Sequence, residues 1–301
     1  MHIEGGSPSA RVKRIIFMGT GTSGAVPNVT CLTSTDYTCK VCKLSMTPEG
    51  SKNKRRNTSL LVCIDHPDGR QRNILIDCGK SFYDSALDVF VKNDIRTIDA
   101  VMLTHGHADA VLGLDDLRQW TVLQNRSIPI YCDQSTLDTV SGAFPYLVDM
   151  QKATNGGGVA SLDFRIIEEF SRPFVCEGVA FQPLRVEHGT YGDGRIFYFN
   201  GFRFDDVSYI SDCSKIPDMT RPLITGTKLL ILDALRPRMH VSHFGYNEAI
   251  DEIRKFRPDR ALLTGFCHDI EHSEMEQLAK KLMASEGLVA DPAYDGLRIE
   301  L

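Results

Sequence analysis

The sequence predicts one α/β domain built from two β-rich halves. Strand-like runs recur through both halves and then alternate with helix-like ones, and no linker separates the halves. A 42% hydrophobic content over 301 residues is ample for a sizeable core.

Along the chain, residues 1–11 read as a loose tail and 12–301 as the domain. Val12–Met18 is the first strand and ends in glycine-rich sequence. Residues 20–57 are polar and aperiodic, so they read as a long loop, with a Cys-containing insertion at about 28–57. Ser59–Ile64 and Asn73–Ile76 form a hairpin around HPDGRQ, and Phe82–Lys92 has helical spacing. Ala100–Leu103 is a short apolar strand running into THGHADA. Val111, Leu114, Leu117 and Trp120 place one stripe on a helix over 111–120. Ile128–Cys132 is a strand, Ser135–Ala143 a helix, and TNGGGVASLD (154–163) a surface loop. Strands follow at 164–170, 173–186, 195–204, 206–211, Leu229–Ala234 and Arg260–Thr264. Helices are expected over Asn247–Phe256 and Glu271–Glu286.

Composition excludes disordered, collagenous and low-complexity classes. The net charge of −5 does not suit a surface that grips nucleic acid throughout. The first residues lack the apolar core of a secretory signal, and no run of ~18 apolar residues occurs. Nine cysteines, an odd number, read as reduced, buried or metal-bound thiols. Together these point to a cytoplasmic protein, with a nuclear location also open and no membrane partner; the oligomeric state is not legible.

The strongest chemical signal is His105-Gly-His107-Ala-Asp109, directly after a strand. Positions i, i+2 and i+4 of an extended segment project to one side, so both imidazoles and the carboxylate face one point. Imidazole suits Zn²⁺, Mn²⁺ or iron. His188, Asp212 and His243 also lie near strand exits, where sites are built. The competing reading is local hydrogen bonding by polar loop residues. Asp115 and Asp116 read as charges of a helix's first turn.

Cys31, Cys39 and Cys42 lie in CLTSTDYTCKVC. Three thiolates need one partner to close a tetrahedron around zinc, and His268 or His272 is available. A redox-active CxxC or simple packing are the alternatives. The other six cysteines mostly read as core. Gly19-Thr-Gly21-Thr-Ser-Gly24 spells a dinucleotide-binding fingerprint, but Pro27 and the absence of a following helical stripe exclude it. A turn lining a cleft is the better reading. Lys52, Lys54, Arg55 and Arg56 read as a solvated basic run, while Arg236 and Arg238 near His243 are candidates for binding phosphate. His2 and His66 read as surface residues. Phe197, Tyr198, Phe199, Phe202 and Phe204 read as core or strand-pairing aromatics.

THGHADAVLGLDDLR, with the VEHG, YISD and VSHF segments, GTGTSGAVP, RRNTSLLV and LIDCG, resembles the metallo-β-lactamase-fold hydrolases over about residues 14–270. Within them the chain is similar to the phosphoribosyl cyclic phosphodiesterase branch. The resemblance implies a four-layered αββα sandwich with mixed sheets. It implies a first metal held by His105, His107, His188 and Asp212, a second for which this chain keeps only Asp109 and the shared Asp212, and a structural zinc on Cys31, Cys39, Cys42 and His268. Two departures stand out: Ala110 and Gly265 occupy places where the family carries histidines of the second metal. One firmly bound Zn²⁺ or Mn²⁺, with a second ion weak or absent, is therefore expected. The implied activity is metal-dependent hydrolysis of a small (cyclic) phosphodiester, with Asp109 and His243 catalytic and Arg236 and Arg238 on substrate. Thioester or lactone hydrolysis, or a catalytically reduced relative binding a ligand or nucleic acid, are the alternatives.

Overall fold

A computed structural model describes residues 9–36, 38–154 and 157–301. His2, most of the expected tail, and Asn155 and Gly156 near the start of the 154–163 loop lie outside the described residues. Ser9 and Ala10 are not loose: both backbone N–H groups donate to the Gly178 carbonyl, at 2.8 and 3.0 Å. Arg11 already opens the first strand.

The strands are β1 (Arg11–Gly19), β2 (Ser59–Asp65), β3 (Gln71–Ile76), β4 (Ala100–Met102), β5 (Ile128–Cys132), β6 (Leu162–Ile166), β7 (Phe174–Cys176), β8 (Val179–Thr190), β9 (Ile196–Phe204), β10 (Val207–Ile210), β11 (Leu229–Asp233), β12 (Arg260–Thr264), β13 (Ala290–Pro292) and β14 (Arg298–Glu300). They form two seven-stranded sheets, ordered β14-β1-β2-β3-β4-β5-β6 and β13-β12-β11-β10-β9-β8-β7. Both are mixed: β2/β3 and β9/β10 pair antiparallel, whereas β3 to β6 and β10 to β13 run parallel. The parallel strands carry near-continuous apolar runs, such as Leu229–Leu232, because both of their faces are buried.

The chain divides into two compact units. One comprises the described part of Met1–Met18 with Ser59–Gln182 and Arg298–Leu301; the other comprises Gly19–Thr58 and Pro183–Leu297. In the first, the helix Phe82–Asn93 buries Phe82, Ala86, Val89 and Phe90 against Leu75, Val101 and Leu117. Phe82, Phe90 and Trp120 meet edge to face, with centroids 5.5–6.2 Å apart. In the second, the helices Tyr246–Phe256 and His272–Glu286 bury Ile250, Ile253, Met275 and Leu282 with Leu230, Leu232 and Leu263. Among the described residues no helix is long and apolar enough to cross a membrane.

Several expected elements are corrected. The helix over 111–120 is broken into Ala108–Val111, a 3-10 turn Leu114–Leu117 and Arg118–Gln124. Gly113 causes the break: its N–H donates to the Cys78 carbonyl at 2.8 Å, and a Cβ there would lie 2.3 Å from the Gly79 oxygen. The strand over 173–186 is a hairpin, because Glu177 and Gly178 both take positive φ, 46° and 76°. The loop 20–57 holds helical turns at Val29–Thr33 and Lys40–Leu44, capped by Asn28 and Cys39, and a 3-10 turn at Ser51–Asn53. β13 and β14, three residues each, carry too little periodicity to be read from sequence.

The basic run is also corrected. Arg55 is fully buried, donating to the Cys267 and Ile270 carbonyls at 2.9 Å each and to Asn53 Oδ1 at 3.2 Å. Arg56 is half-buried beside Asp295. Only Lys52 and Lys54 are exposed.

Candidate metal and catalytic centre

In the first unit, β4 delivers the chain into Thr104-His105-Gly106-His107. The His105 and His107 rings meet edge to face at 4.5 Å. His105 is buried and His107 exposed. Asp77, buried at the end of β3, accepts from the Thr104 N–H at 2.8 Å and from its hydroxyl at 2.7 Å. With its hydrogen committed to Asp77, the Thr104 oxygen accepts from His105 Nδ1 at 2.9 Å. The relay Asp77–Thr104–His105 thus fixes the tautomer and leaves Nε2 as the ligating nitrogen. Asp109 sits in the first turn of Ala108–Val111, also buried. Gly79 permits that placement, since a Cβ there would lie 1.7 Å from the Asp109 carbonyl oxygen.

In the second unit, ligand atoms of His188 (β8), Asp212 (after β10) and His243 lie within 4.8 Å of one another. His188 Nδ1 donates to the Ser242 carbonyl at 2.7 Å, which again directs Nε2 to a ligand. His243 Nδ1 stands 2.9 Å from Asp233 Oδ2 and 3.6 Å from Asp212 Oδ1. Asp233 is wholly buried at the end of β11, and burial pushes its carboxyl up to about 6 against the opposing pull of His243.

Asp77 and Asp233 were not singled out from sequence. Their signal was there: each is a carboxylate directly after an apolar run, in LIDCG and ILDALR. A buried carboxylate needs hydrogen-bond partners.

The two departures have structural correlates. Ala110 is buried in the first unit's core, and its carbonyl accepts from the Cys78 N–H at 2.8 Å. Gly265 takes φ +77°, and a Cβ there would lie 2.4 Å from Asp233 Oδ1.

The thiols of Cys31, Cys39 and Cys42 and the ring of His268 form a second cluster in the second unit, with ligand atoms within 4.8 Å. His268 Nδ1 lies 3.4 Å from Cys31 Sγ and 3.5 Å from Cys39 Sγ. Ligands at zinc–sulfur and zinc–nitrogen bond lengths, spread at a tetrahedral angle, are about 3.5 Å apart, so the donor set fits. Burial pushes the Cys39 thiol up, but hydrogen bonds from the Cys42 N–H and His268 outweigh it and bring it to about 7. His272 stands elsewhere, buried, with Nε2 3.2 Å from Glu276.

Arg236 and Arg238 line, with Pro237 and Asp269, a cleft of about 380 Å³. The glycine-rich turn fills another role: a Cβ on Gly19 would lie 2.0 Å from the Asn57 oxygen and one on Gly21 2.6 Å from Arg55 Cβ. These glycines let the turn close on residues 55–57.

Comparison with known proteins agrees with this architecture. A 30% identical relative, named octanoyltransferase, from Porphyromonas gingivalis aligns over 285 residues and 94% of this chain. The chain spans only 51% of that relative's length. A solved diphosphatase from the PhnP family superposes with a TM-score of 0.75 at 28% identity, covering 96% of this chain and 97% of the other. Zinc-bound PqqB from Methylobacterium extorquens shares the fold with a TM-score of 0.72 at 18% identity, covering 96% and 100%. The profile of the beta-lactamase superfamily domain matches residues 72–266, more than half of the chain. With its two mixed seven-stranded sheets, the chain belongs to the β-lactamase superfamily and has the metallo-β-lactamase hydrolase fold.

Proposed function

We propose that the protein is a metal-dependent phosphodiesterase acting on a small phosphate ester. The observation that carries this reading is the pair of imidazole–carboxylate sets with prearranged ring nitrogens. His105, His107 and Asp109 make one, and His188 and Asp212 the other. Of these, His105, His107, His188 and Asp212 are the proposed ligands of one Zn²⁺ or Mn²⁺ ion, and Asp109 with the shared Asp212 is all that remains for a second. A divalent ion so held supplies Lewis acidity and lowers the pKa of water to about 7. Asp109 orients the attacking water or accepts its proton. His243, braced by Asp233, stabilises phosphoryl oxygens or protonates the leaving group. Arg236 and Arg238 hold an anionic part of the substrate. The PhnP-family diphosphatase supports phosphoryl chemistry. Ala110 and Gly265 support a single catalytic ion, and the Cys31/Cys39/Cys42/His268 cluster supports a separate structural zinc.

Hydrolysis of bis-p-nitrophenyl phosphate with added Mn²⁺ or Zn²⁺ tests the reading. Turnover abolished by His107→Ala is expected; correctly folded, metal-loaded protein that turns over nothing would overturn it. The octanoyltransferase relative favours a second reading, thioester hydrolysis. Turnover of acyl thioesters without phosphodiesters selects that alternative.

A further inference from the structure

Loop 236–242 of the second unit carries two guanidinium groups followed directly in sequence by exposed aliphatic ones. Arg236 and Arg238 line the cleft with Pro237 and Asp269. Next along the chain, Met239 is 71% exposed and Val241 88% exposed. Single exposed apolar side chains are ordinary. Here two flank His240 on a short segment that starts at the arginine cleft and ends at His243.

The segment is braced. Arg236 Nη2 donates to the Met239 carbonyl at 3.3 Å, and His240 Nδ1 stands 3.1 Å from Ser242 Oγ. The Ser242 carbonyl accepts from His188. A Cβ on Gly245 would lie 2.7 Å from the Arg238 carbonyl, so the loop packs tightly against its own base. Met239 and Val241 are therefore presented to solvent on a held backbone that continues directly from the two arginines. Guanidinium groups select an anion, and adjacent aliphatic side chains gain by leaving water.

Building on the phosphodiesterase reading, we infer that the substrate is an amphiphile, a phosphate ester bearing an aliphatic chain. Arg236 and Arg238 take its anionic head, and the chain lies along Met239 and Val241. Asp269, in the same cleft, accepts a hydroxyl or amide hydrogen of the head group.

Calorimetric titration of the metal-loaded protein with methyl phosphate and octyl phosphate tests this. Octyl phosphate binding at least about tenfold tighter is expected, because only it covers the apolar pair. Met239→Ser with Val241→Ser should cut that ratio below about threefold, whereas Arg238→Gln should weaken both ligands together. Should the double variant fail to fold, Val241→Ser alone takes its place. Equal affinity for the two phosphates, or a ratio untouched by these serines, overturns the inference. Hydrolysis of p-nitrophenyl methyl and octyl phosphates separates the two claims. No turnover of either, with the octyl preference in binding intact, sinks the phosphodiesterase reading alone. Turnover of both with no octyl preference in binding or rate sinks the amphiphile alone.

Discussion

Asp233 occupies the space that a side chain at residue 265 would need: a Cβ on Gly265 would meet Asp233 Oδ1 at 2.4 Å. Because residue 265 also takes φ +77°, Gly265→Ala combines backbone strain with a steric clash. A loss of about 2–4 kcal/mol is expected from urea unfolding. Gly265→His should likewise fail to raise metal content. Atomic absorption should find one ion per chain beyond the cysteine cluster, and two such tightly held ions would refute the single-ion proposal.

Asp77 is linked to the proposed metal ligand His105 through Thr104. Asp77→Ala should lower catalytic-metal affinity about 10–100-fold, the usual effect of losing a partner behind a ligating histidine. Competition titration with a chromogenic chelator reads this directly. Unchanged affinity would show that the relay does not position His105.

Zinc at the cysteine cluster would tie Cys31, Cys39 and Cys42 to the loop bearing His268. Cys42→Ser or His268→Ala should release one zinc per chain and lower the Tm by several degrees, by the linkage of metal binding to folding. Thiol-reagent zinc release on the wild-type protein checks the stoichiometry. Chelator treatment that leaves the Tm unmoved would argue against a structural ion.

Glu271 caps the helix His272–Glu286, accepting from the N–H groups of Ser273 and Glu274 at 3.1 Å each and from Asn53 Nδ2 at 2.9 Å. Burial pushes its carboxyl up, but these bonds and the Ser273 hydroxyl outweigh burial and hold it at about 2. A depressed folded-state pKa stabilises above the unfolded value of 4.5, and the contribution fades as pH falls toward 2. Glu271→Gln should therefore cost about 1–2 kcal/mol at pH 7. The gap from wild type should close progressively below pH 4.5. Denaturation curves at stepped pH measure it.

Arg55 satisfies two backbone carbonyls, of Cys267 and Ile270, from a wholly buried position. Arg55→Met keeps the aliphatic bulk but leaves those acceptors unmet, at a cost of about 1–3 kcal/mol for each. Thermal unfolding should show a clear drop; a neutral result would mean that water reaches the site.

The alternation of strands and helices, the HxHxD segment and the cysteine spacing were legible because they are local. Side-chain periodicity follows from backbone geometry, and metal-binding residue types stand out in short windows. That is why Ala100–Met102 and Arg260–Thr264 could be placed within a residue. Other features depend on residues far apart in sequence. The break at Gly113 comes from its approach to Gly79, the burial of Arg55 from carbonyls more than 200 positions away, and the buried carboxylates of Asp77 and Asp233 from their particular partners. The sequence alone determined which chemical groups this protein possesses and the elements that carry them. Only the tertiary structure decided which nitrogen of each histidine is directed to a ligand and which arginine is buried, because hydrogen-bond partners and desolvation arise when distant segments pack.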